Sequence, residues 1–217
     1  MQNILNLILP PKHMYDLKNC ITKTFGYDNS YKNSYSFNSL GYRSHHEFEI
    51  DNNPIVVIGN SISFGIGIPY EKTYAYILEQ KLKKKVYNFS IGCFLHTNDY
   101  QLDRCKKIID IYKPSCILFQ INNLNRIEYQ DKTILTDDET LITNNFYNFY
   151  KNLKQVLVNI NHLVMYWDDK LYTLPNKITD QFCIYNKFHL DTSINLEHVF
   201  GVKSHKIIAY KLESMIN

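Results

Sequence analysis

The run Pro54-Ile55-Val56-Val57-Ile58 constrains this chain more than any other segment. It has no polar alternation and is β-branched along its centre, so a strand built from it must be covered on both faces. Gly59-Asn60-Ser61-Ile62-Ser63-Phe64-Gly65 follows at once, with small residues on both sides of Ser61, and the strand stops there. Strands covered on both faces belong to parallel sheets flanked by helices. In open sheets of that kind, ligands and chemistry gather beyond the carboxyl ends of the strands. Ser61 is therefore expected to present its hydroxyl at such an end.

The rest of the chain repeats the alternation. Between Glu71 and Lys85, Tyr74, Ile77, Leu78 and Leu82 recur at helical spacing, and Val86-Tyr87-Asn88-Phe89 reads as a short strand ending in Ser90-Ile91-Gly92. Asn98 to Tyr112 reads as a second helix, with Leu102, Cys105, Ile108 and Ile109 on one side and Pro114 beyond its end. Cys116 to Ile121 is a third strand, ending in Asn122-Asn123. The polar stretch 124–143 is expected to be a loop or insertion, with Asp137, Asp138 and Glu139 solvated. Phe146 to Ile160 follows as a helix, His162 to Trp167 as a strand, and Val202 to Leu212 as the last helix. The fold class expected from this order is α/β, a three-layer α/β/α sandwich with a central parallel sheet. Residues 1–50, polar and rich in Tyr, Asn and Ser, are expected to form an irregular N-terminal arm packed on the domain formed by 51–217.

Composition narrows the function classes. A chain of 217 residues suits one domain with a sizeable core. Its net charge of +3 is too small to mark a nucleic-acid partner. Lys81, Lys83, Lys84 and Lys85 cluster at a helix end, where cations complement the dipole, and read as a solvated face. Cys20, Cys93, Cys105, Cys116 and Cys183 have no CxxC spacing, which argues against a zinc site or a disulfide framework and fits a reducing compartment. No apolar stretch approaches the roughly 20 residues that span a membrane, and Ile4 to Leu9 is too short for a signal h-region. Gly65-Ile66-Gly67 lacks the third glycine of a dinucleotide site and the Lys-Ser/Thr of a P-loop. The expectation is a cytoplasmic protein with no cofactor, no metal, no nucleic-acid partner and no membrane partner. The abundance of Asn, Ile, Lys and Tyr fits an AT-rich coding sequence, and with it a viral particle or an infected host cell as the setting.

Three strand ends, Ser61, Gly92 and Asn122, carry small or amide residues, and in a parallel sheet they share one edge. Cleavage of an acyl ester by serine needs a base for the hydroxyl and donors for the developing oxyanion. The backbone N–H groups of Ser61 and Gly92 and the carboxamide of Asn122 make a suitable donor set. The base must be a histidine, which can come from far along the chain. His198, just before the last helix, is best placed. His205, on that helix, reads as packing or exposure, and His45 and His46 as surface residues of the arm.

In this order the segments resemble the sequence blocks of the SGNH (GDSL-type) hydrolases. Gly59-Asn60-Ser61 with Gly65 and Gly67 is similar to the first block, Asn88-Phe89-Ser90-Ile91-Gly92 to the second, Gln120-Ile121-Asn122-Asn123 to the third, and Asn195-Leu196-Glu197-His198 to the fifth. Asn38-Ser39-Leu40-Gly41-Tyr42-Arg43 resembles the lead-in of many bacterial and phage members, and the resemblance covers roughly residues 35 to 215. It implies the SGNH-hydrolase variant of the flavodoxin-like sandwich, with Ser61 as nucleophile, His198 as general base, and Ser61, Gly92 and Asn122 as oxyanion hole. The chain departs from the blocks at Asn60, Gln120 and Asn123, and Asn195 stands where the triad carboxylate would be. A Ser–His dyad, or a triad completed by Asp191 from the same loop, are the alternatives. The expected function is a serine esterase acting on a small-molecule or glycan acyl ester, O-acetylated carbohydrate included. A glycan-binding module that kept the cleft and an O-acyltransferase are the rivals.

Overall fold

The computed structural model describes residues 35–50, 53–92, 96–129, 132–166, 183–184 and 201–216. Its strands are β1 (Ile55–Ile58), β2 (Val86–Asn88), β3 (Cys116–Gln120), β4 (Arg126–Tyr129), β5 (Lys132–Leu135), β6 (His162–Tyr166) and β7 (Cys183–Ile184). Five of them form a parallel sheet in the order β2-β1-β3-β6-β7, while β4 and β5 pair antiparallel as a separate hairpin. The helices are α1 (Ser61–Phe64), α2 (Tyr74–Leu82), α3 (Asn98–Tyr112), α4 (Glu139–Leu157) and α5 (Val202–Ile216), with a 3₁₀ turn at Tyr70–Lys72.

Side chains along β1 alternate between two apolar layers, which is why the run carries no polar position. Ile55 and Val57 pack with Tyr74, Ala75 and Leu78 of α2 and with Ile208, Ala209 and Leu212 of α5. Val56 and Ile58 point the other way, into Leu102, Cys105 and Ile108 of α3 and Phe149 and Leu153 of α4. The result is the expected three-layer α/β/α sandwich. Each fully buried aliphatic chain of this kind contributes about 1.5–3 kcal/mol of transfer free energy, so both layers are needed to hold the sheet.

Two segments differ from the sequence reading. The stretch 124–143 is not simply loop: it holds the β4–β5 hairpin and the first turn of α4. Asp138 is the N-cap of α4, with Oδ1 accepting from the N–H groups of Thr140 and Leu141 at 2.9 and 3.0 Å. Its solvated carboxylate is the helix start signal. The fully buried stripe begins only at Phe146; in the first two turns of α4 the half-buried Ile142 alone of the apolar residues packs on the core cluster. Near Glu71 the chain makes the 3₁₀ turn first, and α2 begins after Thr73, whose side chain accepts from Tyr76 N–H.

His205 is fully buried on α5, and its Nδ1 accepts from the Tyr74 backbone N–H at 3.0 Å. The rings of the two residues stack at 5.6 Å. Burial, aided by the charge of Arg43, pulls the imidazole down to a pKa of about 3. The folded state therefore keeps this ring neutral, whereas the unfolded chain protonates it near the ordinary value of 6.5. Its stabilising contribution is complete above that value and is lost as pH falls from there through the folded pKa. His205→Asn keeps an acceptor for Tyr74 and is expected to flatten the fall in melting temperature over that interval. An unchanged slope in thermal scans would refute the assignment.

Candidate active site

Ser61 stands at a topological switch point. The chain leaves β1 for β2 on one side of it and returns to β3 on the other, so the loops after β1 and β3 part at the carboxyl edge. Asn60 is the N-cap of α1, and its Oδ1 accepts from Ile62 N–H at 3.0 Å. Gly65 ends the turn at φ +77°, a left-handed conformation that favours glycine, and its N–H reaches the carbonyls of Ser61 and Ile62. Arg43, which is buried, then donates to the carbonyls of Phe64, Gly65 and Ile68 and stacks on the ring of Tyr35. The segment 35–50 thus braces the turn that follows Ser61. Ser61 itself is buried, and its hydroxyl hydrogen-bonds to no described residue.

Beneath the turn lies a neutral network. Gln120, at the end of β3, donates from Nε2 to Asn60 Oδ1 at 2.6 Å. Its Oε1 accepts from Asn60 N–H, Ser63 N–H and the Ser63 hydroxyl. Tyr74 donates its hydroxyl to Ser63 Oγ at 2.6 Å, and Asn88 Nδ2 donates to the Ser63 carbonyl at 2.8 Å. Asn60 and Gln120, two departures from the family blocks, are thus partners of each other. Asn123, a third, is an exposed turn residue whose Oδ1 accepts from Asn125 N–H at 3.3 Å.

Ser61, Gly92 and Asn122 follow the carboxyl ends of three adjacent strands, β1, β2 and β3. The β1–β2 hydrogen bonding runs on to Ile91 N–H and the Gly59 carbonyl at 3.0 Å, and on the other side Ile58 pairs with Phe119 of β3. Gly92 lies against the ring of Phe64 so closely that a Cβ there would come within 2.9 Å of it. Asn122 is completely buried, and its backbone N–H donates to Asn98 Oδ1 at 2.7 Å. Its Nδ2 donates to the His96 carbonyl at 2.8 Å, which orients the carboxamide. That amide nitrogen carries a second hydrogen, and Oδ1 has no hydrogen-bond partner among the described residues. His96 and Asn98 were not singled out from the sequence. Asn98 could be read as a helix start, but nothing in the sequence ties it to Asn122.

His198, Asp191 and Asn195 lie outside the described residues. Among the described residues no group of His, Cys, Asp and Glu is placed to hold a metal ion, and no helix is long and apolar enough to cross a membrane. Burial pushes the Cys105 thiol up to about 12 and that of Cys116 to about 11, so neither is poised as a thiolate.

Among known proteins, no family model and no curated sequence matches this chain. Solved structures do. A protein assigned to the G-D-S-L family of lipolytic proteins, from Desulfitobacterium hafniense DCB-2, superposes with a TM-score of 0.55 at 13% identity, over 75% of this chain and 99% of that one. The psychrotrophic esterase EstA from Pseudoalteromonas sp. follows at a TM-score of 0.48 and 16% identity, over 76% and 96% of the two chains. TesA gives a TM-score of 0.48 and 11% identity, over 73% and 95%. The assignment of fold rests on the first of these: the chain has the SGNH-hydrolase fold.

Proposed function

We propose that this protein is a serine esterase of SGNH type that cleaves small acyl esters. The observation that supports the reading is that Ser61, Gly92 and Asn122 follow the ends of three adjacent strands at the switch point, with Asn122 held by Asn98 through its backbone N–H and by the His96 carbonyl through its carboxamide. The Ser61 oxygen attacks the ester carbonyl while His198 takes its proton. The oxyanion is met by the N–H groups of Ser61 and Gly92 and by the second Nδ2 hydrogen of Asn122. Preorganised donors of this kind contribute about 10²–10³ in rate each. His198 returns the proton to the departing alcohol, and water then releases the acid from the acyl-enzyme by the same route. Asp191 or Asn195 orients the imidazole in this scheme.

Labelling with a fluorophosphonate probe, alongside turnover of p-nitrophenyl acetate and O-acetylated sugars, tests the reading. The wild type is expected to label and to hydrolyse, and Ser61→Ala to do neither while melting normally. A wild type that takes no label overturns the nucleophile. Acyl transfer to a sugar that outpaces hydrolysis would make the protein a transferase built on the same residues.

A further inference from the structure

The side chain of Gln120 grips the turn on both sides of Ser61. We propose that Gln120 is a positioning residue for the Ser61 hydroxyl, clamping the nucleophile turn through hydrogen bonds that involve no ionised group. The inference rests on Ser61 being the nucleophile.

Gln120 is completely buried and carries four contacts. Oε1 accepts from the backbone N–H of Asn60 at 3.3 Å, from that of Ser63 at 3.2 Å, and from the Ser63 hydroxyl. Nε2 donates to Asn60 Oδ1 at 2.6 Å. Two backbone N–H groups can face only an oxygen, so the carboxamide has one permitted orientation. Residues 60 and 63 bracket Ser61, and a single rigid group holds both. Ser63 Oγ gives its proton to Gln120 and receives one from Tyr74, whose backbone N–H is tied to His205. Tyr74 and His205 are the titratable members of this network, and burial keeps both neutral. Arg43 holds the far end of the turn through the carbonyls of Phe64 and Gly65.

The donor pattern makes the clamp asymmetric toward charge. An aspartate at position 60 would still accept from Gln120 Nε2 and Ile62 N–H, both donors. A glutamate at position 120 would instead set a second oxygen against Asn60 Oδ1, which already serves as an acceptor. That contact is relieved by protonating the glutamate, or by turning the Asn60 carboxamide and giving up the helix cap.

The test is the second-order rate of fluorophosphonate labelling, measured from about pH 5 to 9 with the melting temperature of each variant in parallel. Asn60→Asp is expected to stay within about three-fold of wild type with the same pH profile, whereas Gln120→Met labels about a hundred-fold more slowly at every pH. Gln120→Glu should be as slow as Gln120→Met at high pH and recover toward wild type as the pH falls. A folded Gln120→Glu with the wild-type rate and profile overturns the proposal, as does a Gln120→Met loss no larger than its loss of folded protein. If neither Gln120 variant folds, Asn60→Ala decides at a half-buried position: it should label about ten-fold more slowly than Asn60→Asp, and equal rates overturn the clamp. A wild type that does not label overturns the nucleophile and the clamp together; a labelled wild type with insensitive variants overturns the clamp alone.

Discussion

Arg43→Ala is expected to destabilise the protein by about 3–5 kcal/mol, read as a shift in the urea midpoint at unchanged slope. The guanidinium is 1% exposed and donates to three carbonyls at and beyond the end of the helix that begins at Ser61: Phe64, Gly65 and Ile68. It also lies 4.4 Å from the centre of the Tyr35 ring and 5.5 Å from that of Phe64. Its removal leaves the three carbonyls without that donor and a cavity between two aromatic rings. Arg43→Lys should recover less than half of the loss, because one ammonium cannot match a planar fork that serves three acceptors and two rings. A cost below about 1 kcal/mol for the alanine variant would mean that the turn is held by something else.

Gly59→Ala is expected to cost about 3 kcal/mol and to abolish labelling of Ser61. A Cβ at this position would stand 2.5 Å from Ser63 Oγ, 2.6 Å from Gln120 Oε1 and 2.7 Å from Ser63 Cβ. None of these is the free end of a flexible chain, since all belong to the hydrogen-bonded network under the Ser61 turn. The methyl group must displace the clamp. Two of the three colliding atoms belong to Ser63, so Gly59→Ala combined with Ser63→Gly should be more stable than Gly59→Ala alone. A coupling of at least about 1 kcal/mol in the double-mutant cycle is expected; strictly additive costs would refute the steric account.

The helix Asn98–Tyr112 was legible to the residue because its limits are local: Thr97 caps it and Pro114 stands just beyond it. The positions of β1, β2, β3 and β6 were legible because short apolar runs at their centres mark buried strands, whereas β4, β5 and β7 were not read from the sequence. The start of α4 was missed because its first two turns set only Ile142 against the core, which leaves Asp138, a residue type as common in loops as at helix starts, as the main signal. The roles of Asn60 and Gln120 were missed for a different reason. Each is unremarkable in its own segment, and their pairing across 60 residues follows from the β1–β3 register.

By itself the sequence determined the α/β class and marked Ser61, Gly92 and Asn122 as strand-end candidates, because burial pattern and strand-end chemistry are written locally. Only the tertiary structure decided what braces the Ser61 turn. Arg43 reaches the turn from the segment before β1, Gln120 from β3, and His205, through Tyr74, from the last helix. Hydrogen bonds between distant segments exist only once the strands are in register, so the polar residues that position Ser61 become readable only when the sheet has formed.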